Sequence, residues 1–385
     1  MMVRWVEFAV LGIACFPFVY YLLALYSTGK FFRDAARSGG QSHLPFTPPV
    51  SVLKPVRGLD PGAYENFASF CRQDYPQYEI VFCIGDTADP AYPTLQKIVR
   101  DFPECNVRVL IGSGRHAPND KVAKLARLTA EARYDTFAIS DADVRVQPDY
   151  LRTFVAPLRD PKVGAVTCMH TSRDTTFTQR LQSVGMISDF YPGILVARQL
   201  DGVKFAFGQT IVTTRRHLDG FGGYPAIENS PGDDLLVGRL IEEQQFQVVL
   251  FPRPVEILAD FQSMAELLTK RLRWMTVMRH MRPWGHLGLI FTQGLLWASA
   301  AVAVRPMRST VFVYFGLYAA LRIAVTMCVG AWGLREKGLW KKLAIIPLWD
   351  ATATFIWLAS FTRRTITWRK VRYRLRGHTL IPVVE

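Results

Sequence analysis

The chain has 385 residues, of which 50% are hydrophobic and only 20% charged, yet its formal net charge is +14. A basic chain with a mean hydropathy of +0.11 serves either nucleic acid or a membrane with lysine and arginine on its cytosolic side. The long apolar runs decide for the membrane, and no nucleic-acid partner is expected. The six cysteines, Cys15, Cys71, Cys83, Cys105, Cys168 and Cys328, form no C-x-x-C pair. That argues against a zinc site or a disulfide framework and leaves thiols in a reducing compartment.

Residues 5–26 are almost unbroken apolar sequence, with Glu7 near the start. About 20 apolar residues cross the hydrocarbon. No small-residue cleavage site follows, so the segment reads as a retained anchor (1–29) rather than a signal peptide. Lys30, Arg33 and Arg37 come next, which places the following domain in the cytosol. Residues 30–49 form a linker whose second half, 38–49, is rich in Gly, Ser, Pro and Thr.

From Val50 the chain alternates. Residues 50–54, 78–83, 107–111, 136–140 and 163–169 read as strands, with helices over 61–72, 91–102 and 121–132. That rhythm predicts an α/β fold, a mostly parallel sheet covered by helices. Ligands of such sheets sit beyond the carboxyl ends of the strands. This domain is expected over 50–283.

Residues 287–304, 310–332 and 343–361 are further membrane candidates, giving a segment 284–361. The tail, 362–385, carries Arg363, Arg364, Arg369, Lys370, Arg372, Arg374 and Arg376, a cluster expected to stay cytosolic. Three full crossings would leave it outside. One segment must therefore be re-entrant, interfacial or not in the membrane.

Four clusters carry candidate chemistry. Asp141-Ala142-Asp143 follows the strand at 136–140; in extended backbone residues two apart point the same way. Such a pair holds a hard cation such as Mg²⁺ or Mn²⁺, or is merely an acidic turn. Asp86 and Asp89, after the strand at 78–83, either accept hydrogen bonds from a nucleotide or start the next helix as an Asp-Pro turn. Gly232-Asp233-Asp234 opens a helix over 235–242. One carboxylate there acts as a general base, or both complement the helix dipole. Lys270-Arg271-Leu272-Arg273-Trp274 lies inside a helix over 264–281. It suits a diphosphate clamp or a basic helix at the lipid surface, where Arg279, His280 and Arg282 belong. There is no G-x-G-x-x-G or Walker-A motif, and His43, His116, His170, His217, His280, His286 and His378 lack metal-ligand spacing.

Asp89, Asp141-Ala142-Asp143, Asp234 and the K-x-x-R-W ending at Trp274 occur in order. The set resembles the D, D, D, (Q/R)-x-x-R-W pattern of inverting glycosyltransferases with a GT-A fold. More narrowly, the chain resembles the ceramide glucosyltransferase family (glycosyltransferase family 21) and its bacterial hopanoid-associated relatives. Ser51 to Pro61, Gln73 to Glu79, Asp89-Pro90-Ala91, Ile366 to Arg369 and Arg372 to Arg376 carry the likeness. Lys270 stands where that family has Gln or Arg, and Asp143 is not shared by every member.

The resemblance implies an integral membrane enzyme, in a bacterial inner membrane, with membrane helices at both ends of a GT-A domain. Its donor would be a UDP-sugar, glucose or N-acetylglucosamine, and its acceptor a membrane lipid, ceramide or a hopanoid. By the same resemblance Asp86 and Asp89 would hold the nucleotide. Asp141 and Asp143 would hold a divalent cation and the diphosphate. Asp234 would be the catalytic base, with Asp233 beside it leaving that choice open by one residue. Arg273 and Trp274 would meet the diphosphate and acceptor. A processive polysaccharide synthase shares this logic but needs a channel through more membrane segments. A transporter would show paired interrupted helices.

Overall fold

The structure, a computed structural model, describes residues 2–38, 46–115, 117–258, 263–368, 371–377 and 379–383. His43, His116, His378, Arg369, Lys370 and linker residues 39–45 lie outside the described residues. Two N-terminal helices, α1 (Met2–Ile13) and α2 (Phe16–Ser38), lead into the α/β domain.

The alternation expected from the sequence is present, with boundaries shifted by a residue or two. It runs β1 (Val50–Pro55), α3 (Ala63–Cys71), β2 (Tyr78–Ile84), α4 (Tyr92–Asp101), β3 (Val107–Ile111), α5 (Asp120–Glu131) and β4 (Thr136–Ile139). Local chemistry sets the edges. Pro93 occupies the first turn of α4, where its missing N–H costs nothing. The Asn119 side chain caps α5 by accepting from Val122 N–H at 3.3 Å. β5 (Val144–Arg145), α6 (Tyr150–Val155), β6 (Val163–Arg173), α7 (Phe177–Gly185), α8 (Tyr191–Asp201), β7 (Ile211–Thr214), α9 (Arg215–Asp219), α10 (Asp233–Glu243), β8 (Gln247–Leu258) and α11 (Met264–Met281) complete the domain.

Among the described residues the main sheet has eight strands in the order β3-β2-β1-β4-β7-β6-β8-β5. β3, β2, β1 and β4 pair in parallel, whereas β7 runs antiparallel to β4 and β6. Two buried layers cover its faces. One gathers Val52, Phe67, Phe70, Ile80 and Phe82; the other gathers Leu53, Val81, Leu125, Phe137 and Val237. With both faces buried, β1 reads as a continuous buried run rather than an alternating one.

Among the described residues three helical stretches are long and apolar enough to cross a membrane: Arg4–Arg37, Arg308–Gly333 and Leu339–Ser360. α12 (Pro283–Gly288) and α13 (Gly294–Val304) belong to a fourth candidate, bent by 55° at Gln293. α13 runs back along the N-terminal helices, from Gly294 beside the Tyr21 hydroxyl to Arg305 beside Glu7. α14 (Arg308–Thr326) then returns alongside them. The Tyr314 hydroxyl donates to Leu11 C=O at 2.9 Å, and Trp332 meets Phe32.

α15 (Ile346–Ser360) touches both α14, whose Tyr318 hydroxyl donates to Asp350 at 2.7 Å, and the α/β domain. Its Trp349 packs on Gly185 of α7, and its Trp357 Nε1 donates to His286 C=O at 2.8 Å. It lies along α11, where Arg271 sits over the Trp349 ring and Arg279 donates to Phe361 C=O. The tail then folds as a second sheet of β9 (Thr365–Trp368), β10 (Val371–Arg376) and β11 (Thr379–Pro382). That sheet sits on the α/β domain: the Tyr373 hydroxyl donates to Pro118 C=O and Leu380 N–H to Asn229 C=O. α13 and α14 form an out-and-back pair, and the described residues of the basic tail fold as a sheet against the α/β domain.

Candidate active site

Sheet order reverses at β1, which has β2 on one side and β4 on the other. Beyond the carboxyl ends of such neighbouring strands a crevice opens. Lys54, near the end of β1, is wholly buried. Its ammonium donates to Asp141 C=O at 2.9 Å and Ser140 Oγ at 3.3 Å and lies over the Phe70 ring. Burial pulls its pKa down to about 7 against the opposing pull of Asp143 and Asp141. Lys54 therefore ties the Asp141 turn to the central strand. Asp143 is raised to about 7, first by burial and then by the like charges of Asp141 and Asp60.

A residue not singled out in the sequence occupies the centre. Lys121, in the first turn of α5, lies 2.8 Å from Asp141 Oδ1 and 3.3 Å from Asp233 Oδ2. Burial lowers its pKa, but the fields of Asp141, Asp233 and Asp234 outweigh burial and hold it charged. Gly208, between Phe207 and β7, makes this approach possible. A Cβ there would stand 2.9 Å from both Asp141 Oδ2 and Lys121 Nζ, and 3.5 Å from Asp234 Oδ2. Asp141 and Asp234, nearly a hundred residues apart in sequence, thus meet around one glycine.

The two neighbouring aspartates at the start of α10 differ. Asp233 is buried and paired with Lys121. Asp234 is half-buried; its Oδ2 accepts from Gly208 N–H at 3.0 Å and its Oδ1 from Leu235 N–H at 2.8 Å. Burial, then the charge of Asp233, raises Asp234 to about 6, while Lys121 pulls the other way. A half-buried carboxylate poised near neutrality is suited to general-base work.

Asp89 and Asp86 share the same edge but already have partners. Asp89 accepts from Gly58 N–H at 3.0 and 3.1 Å and from Ala91 N–H at 2.9 Å, tying the loop after β1 to the start of α4. Asp86 is exposed and accepts from Ala88 N–H at 2.8 Å. Both sites show the turn chemistry set out above as one of the two sequence readings.

On α11 the buried arginine is Arg271, not Arg273. Its Nε donates to Gln182 Oε1 at 2.7 Å, and the guanidinium lies 5.1 Å from the centre of the Trp274 ring and 4.9 Å from that of Trp349. Burial lowers its pKa to about 10. Helical spacing puts Lys270, Arg273, Trp274, Val277 and Met281 on another stripe. Met281 on that stripe meets Gly232 at the start of α10. Arg273 is half-buried and Trp274 is 40% exposed on the same side.

Among the described residues no three His, Cys, Asp or Glu side chains gather as a metal set. Asp141 and Asp143 nevertheless fit a hard divalent cation. They are oxygen donors, and the repulsion from Asp141 that adds to burial in raising Asp143 is one a cation would relieve. Mg²⁺ is commonly bound through one or two carboxylates, with substrate phosphates completing its shell.

The mannosyltransferase PcManGT from Pyrobaculum calidifontis aligns over 90% of this chain and 99% of its own, with a TM-score of 0.55 at 16% identity. That likeness shows the shared GT-A fold. A ceramide glucosyltransferase of Gibberella zeae is 33% identical over 153 residues, covering 37% of this chain and 28% of that protein. Ceramide glucosyltransferase 1 of Caenorhabditis elegans is 22% identical over 343 residues, covering 86% of this chain and 72% of that one. The family model described as glycosyl transferase family 21 matches residues 10–381, from the first membrane helix to the last strand, and the chain belongs to that family of transferases.

Proposed function

We propose that this enzyme moves a hexose from a UDP-sugar to the hydroxyl of a membrane lipid, ceramide in the first instance, with inversion at the anomeric carbon. The observation that carries the reading is the meeting of Asp141, Asp233 and Asp234 around Lys121 and Gly208. Asp234, whose pKa burial and Asp233 raise, stands there beside the Lys121 ammonium.

Asp234 takes the proton from the lipid hydroxyl as the oxygen attacks. Its carboxylate is aimed by the Gly208 and Leu235 N–H groups, so little reorganisation accompanies the step. The bond to the UDP oxygen breaks on the opposite side, and a single displacement inverts the configuration. Arg273 offsets charge on the departing diphosphate, and Trp274 lies under the acceptor. Asp141 and Asp143 would hold Mg²⁺ or Mn²⁺, whose charge would stabilise the diphosphate; the P. calidifontis structure is a complex with GDP-Man and Mn²⁺. Asp89 and Asp86 shape the nucleotide side, Asp89 by fixing the Gly58 loop. The catalytic domain faces the cytosol, on a bacterial inner membrane.

The test is Asp234→Asn. Turnover should fall by roughly a hundred- to ten-thousandfold, the usual contribution of a general base, while UDP affinity stays within a few-fold. Unchanged turnover would remove Asp234 from the mechanism.

A further inference from the structure

β10 reads Val371-Arg372-Tyr373-Arg374-Leu375-Arg376, and its burial alternates strictly from Arg372 onward. Tyr373 and Leu375 join Ile366 and Leu380 in a small core against Val277 of α11. Arg372, Arg374 and Arg376 point the other way and are exposed. No carboxylate stands directly across the sheet from Arg374, which faces Thr365 and Ile381, or from Arg376, which faces Thr379.

This cationic face is continuous with apolar surface. Exposed Arg363 and Arg364 link it to the end of α15, where Phe355, Leu358 and Phe361 are 62%, 54% and 40% exposed. Because the inner face of the sheet covers the protein, a ligand of the arginines arrives from outside and not through the donor crevice. Fixed positive charge beside exposed apolar helix complements the phosphate headgroups of a bilayer.

We propose that the arginine face of β10, with Arg363 and Arg364, docks the headgroups of anionic phospholipid, and that the docked sheet steadies the catalytic loops. The connection is short. Tyr373 holds Pro118 and Leu380 holds Asn229. Asn119, the next residue after Pro118, caps α5 and donates to Ser230 C=O at 2.9 Å. Lys121 and Asp233–Asp234 start from these two loops.

The experiment places the full-length protein in phosphatidylcholine vesicles with rising phosphatidylglycerol and follows amide hydrogen exchange over 371–377. Protection should rise with phosphatidylglycerol and fall with salt. Each arginine contributes about fivefold in surface affinity, so an R374Q/R376Q variant should need roughly thirtyfold more anionic lipid. R374K/R376K should retain the response, which separates lost charge from lost fold. Equal exchange in the two lipids overturns the proposal. So does equal protection by UDP or inorganic diphosphate in pure phosphatidylcholine, which would assign the face to soluble phosphates. This arm reads binding alone, so its failure is distinct from failure of the sugar-transfer reading.

Discussion

Replacing Lys121 with Met removes the cation at the centre of the carboxylate cluster while keeping much of the side chain's volume. Lys121 Nζ and Asp234 Oδ2 lie no more than about 6.4 Å apart, since a Cβ on Gly208 would be 2.9 Å from one and 3.5 Å from the other. At that separation and an effective dielectric of about 20, one unit charge contributes roughly 2.6 kcal/mol, or about two pKa units. Asp234, now held at about 6, should rise to about 8 in Lys121→Met. The base acts only when ionised, so activity is lost as pH falls through its pKa, and the acid limb should move up by about two units. At pH 7 the ionised fraction, and with it the rate, should fall about tenfold, recovering near pH 9. The assay is glycolipid formation across pH, with UDP binding and thermal unfolding as checks on the fold. An acid limb that stays near pH 6, or moves down, refutes Lys121 as the counter-charge of Asp234.

Gly208→Ala forces a methyl to within 2.9 Å of Asp141 and Lys121; about 1–3 kcal/mol of strain and a large loss of kcat should follow, read by steady-state kinetics. Asp89→Ala frees the Gly58 and Ala91 N–H groups. At roughly 1.5–3 kcal/mol for a hydrogen bond to a charged group, it should weaken UDP binding at least tenfold by calorimetry, with kcat at saturation changing less. Arg271→Met leaves the buried Gln182 carbonyl without its 2.7 Å partner. A cost of about 1–3 kcal/mol should lower Tm, and Arg271→Lys should not restore it, because a point-charge ammonium does not reproduce the guanidinium's bond to Gln182 and its contacts with two tryptophan rings.

Much of the fold was legible because β1 to β4 are compact apolar runs separated by helices of the right length. The acidic clusters were legible because they stand where those strands end. Lys121 was missed because a lysine on an amphipathic helix reads as solvated surface. A signal was present: a cation in the first turn opposes the helix dipole, which a nearby group of acids explains. β8 escaped because Pro252 and Pro254 read as breakers, yet it pairs with β6 through a register shift between Cys168 and His170 that accommodates them. Gly208 carried no local signal, since its requirement comes from Asp141 and Asp234, far away in sequence. The tail was read by its charge, while its alternation of arginine with Tyr373 and Leu375 already had the period of a strand. Which apolar segment lies against the domain was beyond composition: α15 is as apolar as a crossing helix but is held by Gly185, Arg271 and His286.

The account rests on transfer of one sugar to one lipid. Its most direct test is mass spectrometry of the lipid products after the purified enzyme is incubated with UDP-glucose or UDP-N-acetylglucosamine and with ceramide or a polyol-bearing hopanoid. The account predicts a ceramide carrying a single added hexose, formed from UDP-glucose and absent in Asp234→Asn. Polymer in place of a singly glycosylated lipid, or no lipid product with any pairing, would contradict it.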